Sequence, residues 1–202
     1  MRRRRLIPAL LACCAGLLTA AAEAQQATAP SPSWGLAQLM QSLRQVKSAS
    51  GQFVERRTLH VLTEPLVVSG TLLYVAPDQV QKITVSPKRE RFALSGDTLT
   101  IEEGPDARSR TLSLADNPEI GALVEGIRAT LAGDMSQLNR LYTVHLDGNA
   151  AEWRLSLEPA DPKLTQFVKA IRIAGSDNRI RTVETEDSDG DRSEMRIVED
   201  VR

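Results

Sequence analysis

The chain has 202 residues, 42% of them hydrophobic but only 3% aromatic, and its 25 basic and 26 acidic side chains leave a net charge of −1. That near balance, without a basic stripe, excludes an ordinary nucleic-acid binder, and two histidines and two cysteines leave little for a metal centre or nucleophilic chemistry. The length suits one domain burying roughly 70% of its unfolded surface, with any cavity walled mainly by Leu, Ile, Val and Ala.

Arg2 to Arg5 form a cationic start, Leu6 to Ala22 an apolar run interrupted by Pro8, and Ala22-Glu23-Ala24 a small-x-small cleavage site. Together they read as a secretory signal peptide over residues 1–24. The run is shorter than the about 20 apolar residues that span a bilayer, and nothing later is longer, so a soluble exported product is expected. Cleavage removes four Arg and one Glu and takes the net charge from −1 to −4. A competing reading takes Leu10-Leu11-Ala12-Cys13 as a lipoprotein box with Cys13 lipidated. The apolar run continues past Cys14, which favours ordinary cleavage, and the mature protein then has no disulfide or thiol.

Residues 25–33, rich in Ala, Thr, Ser and Pro, read as a flexible leader, and residues 34–202 as a single folded domain. Ser33 is placed to cap a helix carrying Leu36, Leu39, Met40, Leu43 and Val46 on one face, with Ser50-Gly51 as its stop. From Gln52 to about Leu114 come short β-type runs separated by Glu64-Pro65, Pro77-Asp78, Ser86-Pro87, Gly96-Asp97 and Gly104-Pro105. Such short links predict an antiparallel meander, because a parallel sheet needs longer crossovers.

Asn117-Pro118-Glu119 supplies a cap, a first-turn proline and a first-turn acid. They open a helix with Ile120, Leu123, Val124, Ile127 and Leu131 on one face and Gly133 at its end. That face packs a core, or it closes a cavity as a lid. Asp134 and Gln137 are placed to cap one further short turn or helix. β character resumes at Leu141 to Leu146, Trp153 to Leu157, Val168 to Ala174, Ile180 to Glu184 and Met195 to Val198. The fold class is therefore α+β, mainly antiparallel: a curved open sheet covered on one face by helices, with room for a ligand between.

Candidate chemistry is thin. His60 and His145 have no partner at metal-ligand spacing, and the Gly-x-Ser-x-Gly elbow is absent. Asp187-Ser188-Asp189-Gly190-Asp191 puts glycine fourth and Val198 twelfth, where a calcium loop of the EF-hand type needs glycine sixth and Glu twelfth. Asp189-Gly190 reads instead as the tight turn of a last hairpin. Lys88-Arg89-Glu90-Arg91, mixed in sign after Pro87, reads as a solvated strand end. No catalytic residue, metal or cofactor is expected.

Phe53-Val54-Glu55, Gly70-Thr71-Leu72-Leu73-Tyr74 with Pro77, Gly96-Asp97-Thr98-Leu99, and Ile171-Arg172-Ile173 followed by Ile180, Val183 and Asp189-Gly190 resemble the outer-membrane lipoprotein carrier (LolA) family in order and spacing. The likeness runs over most of residues 34–198. It implies an open half-barrel with a helical lid over a hydrophobic cavity that takes up acyl chains in the periplasm. The family's latching arginine before the turn proline is Ala76 here, and two of its aromatics align with Leu73 and Val80. The usual latch is therefore in doubt, a less aromatic cavity is expected, and the chain looks more like LolA-related proteins of lipid or polyene systems.

The expected cargo-binding residues are Phe53, Leu72, Tyr74, Val80, Phe92, Leu94, Ile120, Leu123, Val124 and Ile127. Strand counting puts Lys82 on the face of Val80, where it would meet a cargo head group. A one-residue slip at the Pro77 turn would instead bury Ile83 and Val85 and expose Lys82, and the slip is the preferred reading. The expected function is a monomeric periplasmic carrier of lipid or lipoprotein acyl chains between an inner-membrane donor and an outer-membrane acceptor. A protein-binding or lipid-sensing regulatory module is the alternative, and a hydrolase of lipid-linked substrates the least supported.

Overall fold

The structure is a computed structural model that describes residues 34–104 and 108–200. The signal sequence, Cys13, the leader, the Ser33 cap and Pro105 lie outside the described residues. Helix α1 (Leu36–Arg44) is followed by β1 (Ser48–Thr58), β2 (Leu66–Val75), β3 (Gln79–Ser86), β4 (Glu90–Ser95), β5 (Thr98–Glu103) and β6 (Arg108–Ser113). Helices α2 (Pro118–Ala132) and α3 (Met135–Leu141) then lead to β7 (Tyr142–Gly148), β8 (Trp153–Pro159), β9 (Ala170–Ser176), β10 (Arg179–Glu186) and β11 (Arg192–Glu199).

The strands form one antiparallel sheet in the order β6-β5-β4-β3-β2-β1-β11-β10-β9-β8-β7. Each run of consecutive strands is a meander of the kind its short turns dictate, and the two meanders meet where β1 pairs with β11. The sheet does not close, because β6 and β7 are its free ends. The result is an open half-barrel whose two ends are joined by the α2–α3 segment. No helix among the described residues is long and apolar enough to cross a membrane.

The first helix differs from expectation at both ends. Gly35 is its N-cap, and Ser50-Gly51 is not its stop. The helix ends at Arg44, and Ser50 and Gly51 already pair with Leu73 and Leu72 of β2. Ladder hydrogen bonds to two neighbouring strands override the local turn propensity of a Ser-Gly pair. Helix α2 begins at Pro118 after Asn117 and ends at Gly133 with φ 63°, but the Asn117 side chain does not cap it and instead donates to the Ser113 carbonyl at 2.8 Å. Asp134 caps α3 by accepting the Gln137 amide at 2.9 Å.

The main core lies between the helices and the β7–β9 end of the sheet. Leu39, Met40 and Leu43 of α1, Leu138 of α3, and Trp153, Leu155, Leu157, Ile171 and Ile173 of the strands are all buried together. Helix α2 joins this core through small residues. Ala122, Gly126 and Ala129 face it, and a Cβ added at Gly126 would lie 2.9 Å from Ile171 Cδ1 and from the Tyr142 hydroxyl. That closeness lets the Tyr142 hydroxyl donate to the Ala122 carbonyl, and burial pushes the hydroxyl up to about 12. A smaller cluster of Leu94, Leu99, Ile101 and Leu114 covers the β4–β5 end.

Candidate functional site

The sides of α2 are occupied differently. Its buried positions are Gly121, Ala122, Gly126, Ala129 and Thr130, whereas the large Ile120, Leu123, Val124 and Ile127 are only half-buried. These large side chains roof space that the sheet does not fill. Beneath them lies a chamber of about 500 Å³, walled by Val80, Phe92, Leu94, Leu99, Ile101 and Met195 among others. A second chamber of about 190 Å³ adjoins it and is lined by Leu72, Tyr74, Leu131, Ile180 and Ile197. Val80, Lys82, Ile127, Val183 and Met195 line both and form the partition.

Strand alternation puts these residues there. In β2, Val68, Gly70 and Tyr74 are buried while Val67, Thr71, Leu73 and Val75 are exposed, so Leu72 points inward with Tyr74. The turn at Pro77 keeps Tyr74 opposite Val80 and Leu72 opposite Lys82. The preferred one-residue slip therefore does not occur: Lys82 faces the chambers, and Val85 is 58% exposed on the other side. Its physical obstacle, an inward cation without a partner, is removed by Glu55, whose carboxylate accepts from the Lys82 ammonium.

Of the other predicted cargo residues, Val80, Phe92, Leu94, Ile120, Leu123, Val124 and Ile127 line the larger chamber, and Leu72 and Tyr74 the smaller. Phe53 lines neither. It is 2% exposed beneath the Lys82 ammonium, 5.0 Å from ring centre to Nζ, close enough for a cation–π contact. Each chamber carries one aromatic in its lining, Phe92 in the larger and Tyr74 in the smaller. The Tyr74 hydroxyl is buried without a hydrogen-bond partner among the described residues, and burial, with Asp78 nearby, raises its pKa above the ordinary value.

The polar part of the larger chamber was not visible as a unit in the sequence. Phe53 and Glu55 share the inward face of β1, and Arg57 follows on the same side. Glu55 is 5% exposed. Arg57 Nε donates to its Oε1 and Arg57 Nη2 to its Oε2, both at 3.1 Å, and Lys82 Nζ and Ser193 Oγ complete the set. Burial by itself pushes the Glu55 carboxyl up, but the Arg57 hydrogen bonds, Lys82 and Ser193 outweigh it and hold the group down at about 2. Burial also draws Lys82 below its ordinary value, against the pull of Glu55. The carboxylate is ionised at neutral pH, and its contact with Lys82 opposes the loss of charge that burial favours there.

Helix α2 adds a polar tie. Arg128 pairs with Glu125 at 2.6 Å and donates a long 3.4 Å bond to the Gly96 carbonyl in the β4–β5 turn. At the β10–β11 connection, residues 187–191 form a five-residue loop, not a two-residue turn on Asp189-Gly190. Asp187 Oδ1 accepts the amides of Asp189 and Asp191, both at 2.9 Å, which widens the turn by one Asx motif. Asp191 in turn accepts from the His60 amide at 2.6 Å and contacts His60 Nδ1 at 2.8 Å. His145 is an exposed residue of β7.

Comparison with known proteins gives one family. The family model described as outer membrane lipoprotein carrier protein LolA-like matches residues 27–198. Among curated proteins, none matches this chain. Solved structures with a similar trace include a LolA superfamily protein from Nitrosomonas europaea, at 11% identity and TM-score 0.45, covering 81% of this chain and 92% of that one. A putative outer membrane lipoprotein-sorting protein domain from Vibrio parahaemolyticus is similar at 11% identity and TM-score 0.43, covering 83% and 90%. The MucA/MucB complex of Pseudomonas aeruginosa is similar at 14% identity and TM-score 0.42, with 82% of this chain and 56% of that chain covered. With its family model matched from residue 27 to residue 198, the chain belongs to the outer membrane lipoprotein carrier protein LolA-like family.

Proposed function

We propose that the protein is a periplasmic carrier that takes the acyl or other apolar part of a lipid-linked molecule between its sheet and α2 and delivers it toward the outer membrane. The observation that supports this is the pair of adjoining, mainly apolar chambers beneath Ile120, Leu123, Val124 and Ile127. A packed core has no reason to leave bulky side chains of a helix half-buried over open space, because filling it would add dispersion and burial energy. Each methylene moved from water into such a site contributes about 0.8 kcal/mol. Ten of them contribute about 8 kcal/mol before the cost of immobilising the chain is subtracted, a reversible hold that needs no chemistry for release.

Binding of this kind requires no cofactor, metal or catalytic group. Native mass spectrometry of the protein drawn gently from its own host tests the reading. A stoichiometric lipid adduct, lost on replacing Leu72 or Ile127 with a charged residue that leaves the fold intact, supports it and identifies the cargo. A clean apo mass together with refusal of fluorescent fatty acids sinks it.

The second reading is a protein-binding or lipid-sensing module on the same fold. Val54, Val67, Val85 and Val198 on the outer side of the sheet, each more than half exposed, favour it. Polar neighbours separate these valines, since Val54 lies opposite Ser69 and Arg196 and Val198 opposite Gln52. The chambers therefore carry the first reading further than the outer side carries the second.

A further inference from the structure

The charged cluster in the larger chamber has an uneven balance. Arg57 and Lys82 bring two positive charges to Glu55, the single carboxylate in contact with them, while the more distant Glu90 that also acts on Lys82 has Lys88 at 3.8 Å, so the cluster carries one charge in excess. It sits at a place where charge is poorly solvated: the side chains of Arg57, Lys82 and Glu55 are 28%, 19% and 6% exposed. The other two cations lining the chamber have their own partners. Arg128 pairs with Glu125 at 2.6 Å and Arg110 with Glu103 at 3.7 Å.

The hydrogen-bonding capacity is equally one-sided. Glu55 already accepts four hydrogen bonds, two on each oxygen, from Arg57, Lys82 and Ser193. A carboxylate offers about four lone-pair sites, so nothing remains to accept from a hydroxyl or ammonium head group. Donors do remain. Lys82 uses one N–H on Glu55, and Arg57 Nη1 bonds to no group among the described residues. A buried cluster with surplus positive charge and only donors to spare is complementary to a single anion.

We propose that the larger chamber selects amphiphiles with an acidic head group, a carboxylate or phosphate, which Arg57 and Lys82 bind while the tail runs along Phe92, Leu94, Leu99 and Val124. This rests on the carrier reading and deepens it by naming the chemistry of the cargo. Glu55 is then a positioning residue that holds both cations against the sheet and cancels half their charge. It leaves enough attraction to bind an anion and too little to bind it irreversibly.

The test measures binding of four probes with the same sixteen-carbon tail to the lipid-stripped protein by isothermal titration calorimetry: hexadecanoate, hexadecyl phosphate, hexadecanol and hexadecylamine. A charge-assisted hydrogen bond is worth enough that hexadecanoate or hexadecyl phosphate should bind at least about tenfold tighter than hexadecanol, with the amine weakest. The acid that gains more distinguishes a carboxylate from a phosphate cargo. R57M, which brings the cluster to neutrality, should erase the preference for hexadecanoate or hexadecyl phosphate over hexadecanol. If R57M fails to fold by circular dichroism, K82M serves the same purpose, and E55Q should widen the preference because it raises the excess charge. Equal binding of acid and alcohol by the wild type overturns the proposal and leaves the carrier reading standing. Refusal of all four probes overturns both.

Discussion

The two flanks of the sheet are built from the same kind of strand, yet one is filled and the other is left open. At the β7–β9 end, Trp153, Leu155, Leu157, Ile171 and Ile173 are each no more than 1% exposed, and α1, α2 and α3 pack over them. Toward β3 to β5, only Leu94, Leu99, Ile101 and Leu114 form a compact cluster, and α2 stands off over two chambers. The same helix serves both, since its small residues allow close approach on one side and its large residues cannot settle on the other. The filled core and the open space thus lie toward different ends of one sheet.

The largest effect should come from the filled flank. Trp153→Ala removes the largest fully buried side chain and its 3.0 Å bond to the Asp177 carbonyl. It should lower stability in urea unfolding by about 3–5 kcal/mol; a loss below about 1 kcal/mol would mean that this flank is not the core.

Glu55→Gln comes next and tests the boundary between the flanks. The carboxyl is held at about 2 against an ordinary 4.5, a depression that corresponds to about 3 kcal/mol. Because the folded value is the lower, that stability is fully present above about 4.5 and is lost as pH falls toward about 2. Urea titrations between these limits should show a shallower pH slope for the variant. A slope will persist, because Glu186, held by Lys169 against the effect of burial and helped by Arg192, also sits at about 2. Identical slopes in variant and wild type would remove Glu55 from the account.

The open flank should respond in the opposite sense. Ile127→Ala, at the half-buried partition, should cost only about 1.5 kcal/mol of stability but weaken binding of a fluorescent fatty acid by about tenfold. A stability loss as large as that of Trp153→Ala would make the roof a core element instead. The smallest effect belongs to Asp134→Ala, which removes the α3 cap for about 1 kcal/mol and should leave fatty-acid affinity unchanged.

The two flanks were also unequally legible. Pro, Gly and Asx punctuation marked the β2–β3, β3–β4 and β4–β5 turns but misled at Ser50-Gly51 inside β1, and Asn117-Pro118 and Gly133 marked both ends of α2. The periodic face of α2 was legible too, but not that its neighbouring small residues, Ala122, Gly126 and Ala129, make the tighter contact. Glu55 could be seen to point inward by counting two from Phe53. Its partners could not be seen, since Lys82 lies 27 residues away and Ser193 138 away, on strands brought together only by the sheet order. The register at Pro77 failed for the same reason: without Glu55 in view, an inward lysine looked too costly.

The topology restrains the segment that lies over the chambers. The α2–α3 segment is attached to β6 and β7, the opposite margins of the sheet, with only residues 114–117 before it and no residue between Leu141 and Tyr142 after it. It is tied down at both ends, like a bowstring, and is not a flap turning on one hinge. If the protein carries a lipid as proposed, a bulky guest has to be accommodated by the sheet and the tied segment together, since neither end of that segment is free. On that reading, a single cross-link between the β6 and β7 margins should narrow the range of guests without touching any lining residue.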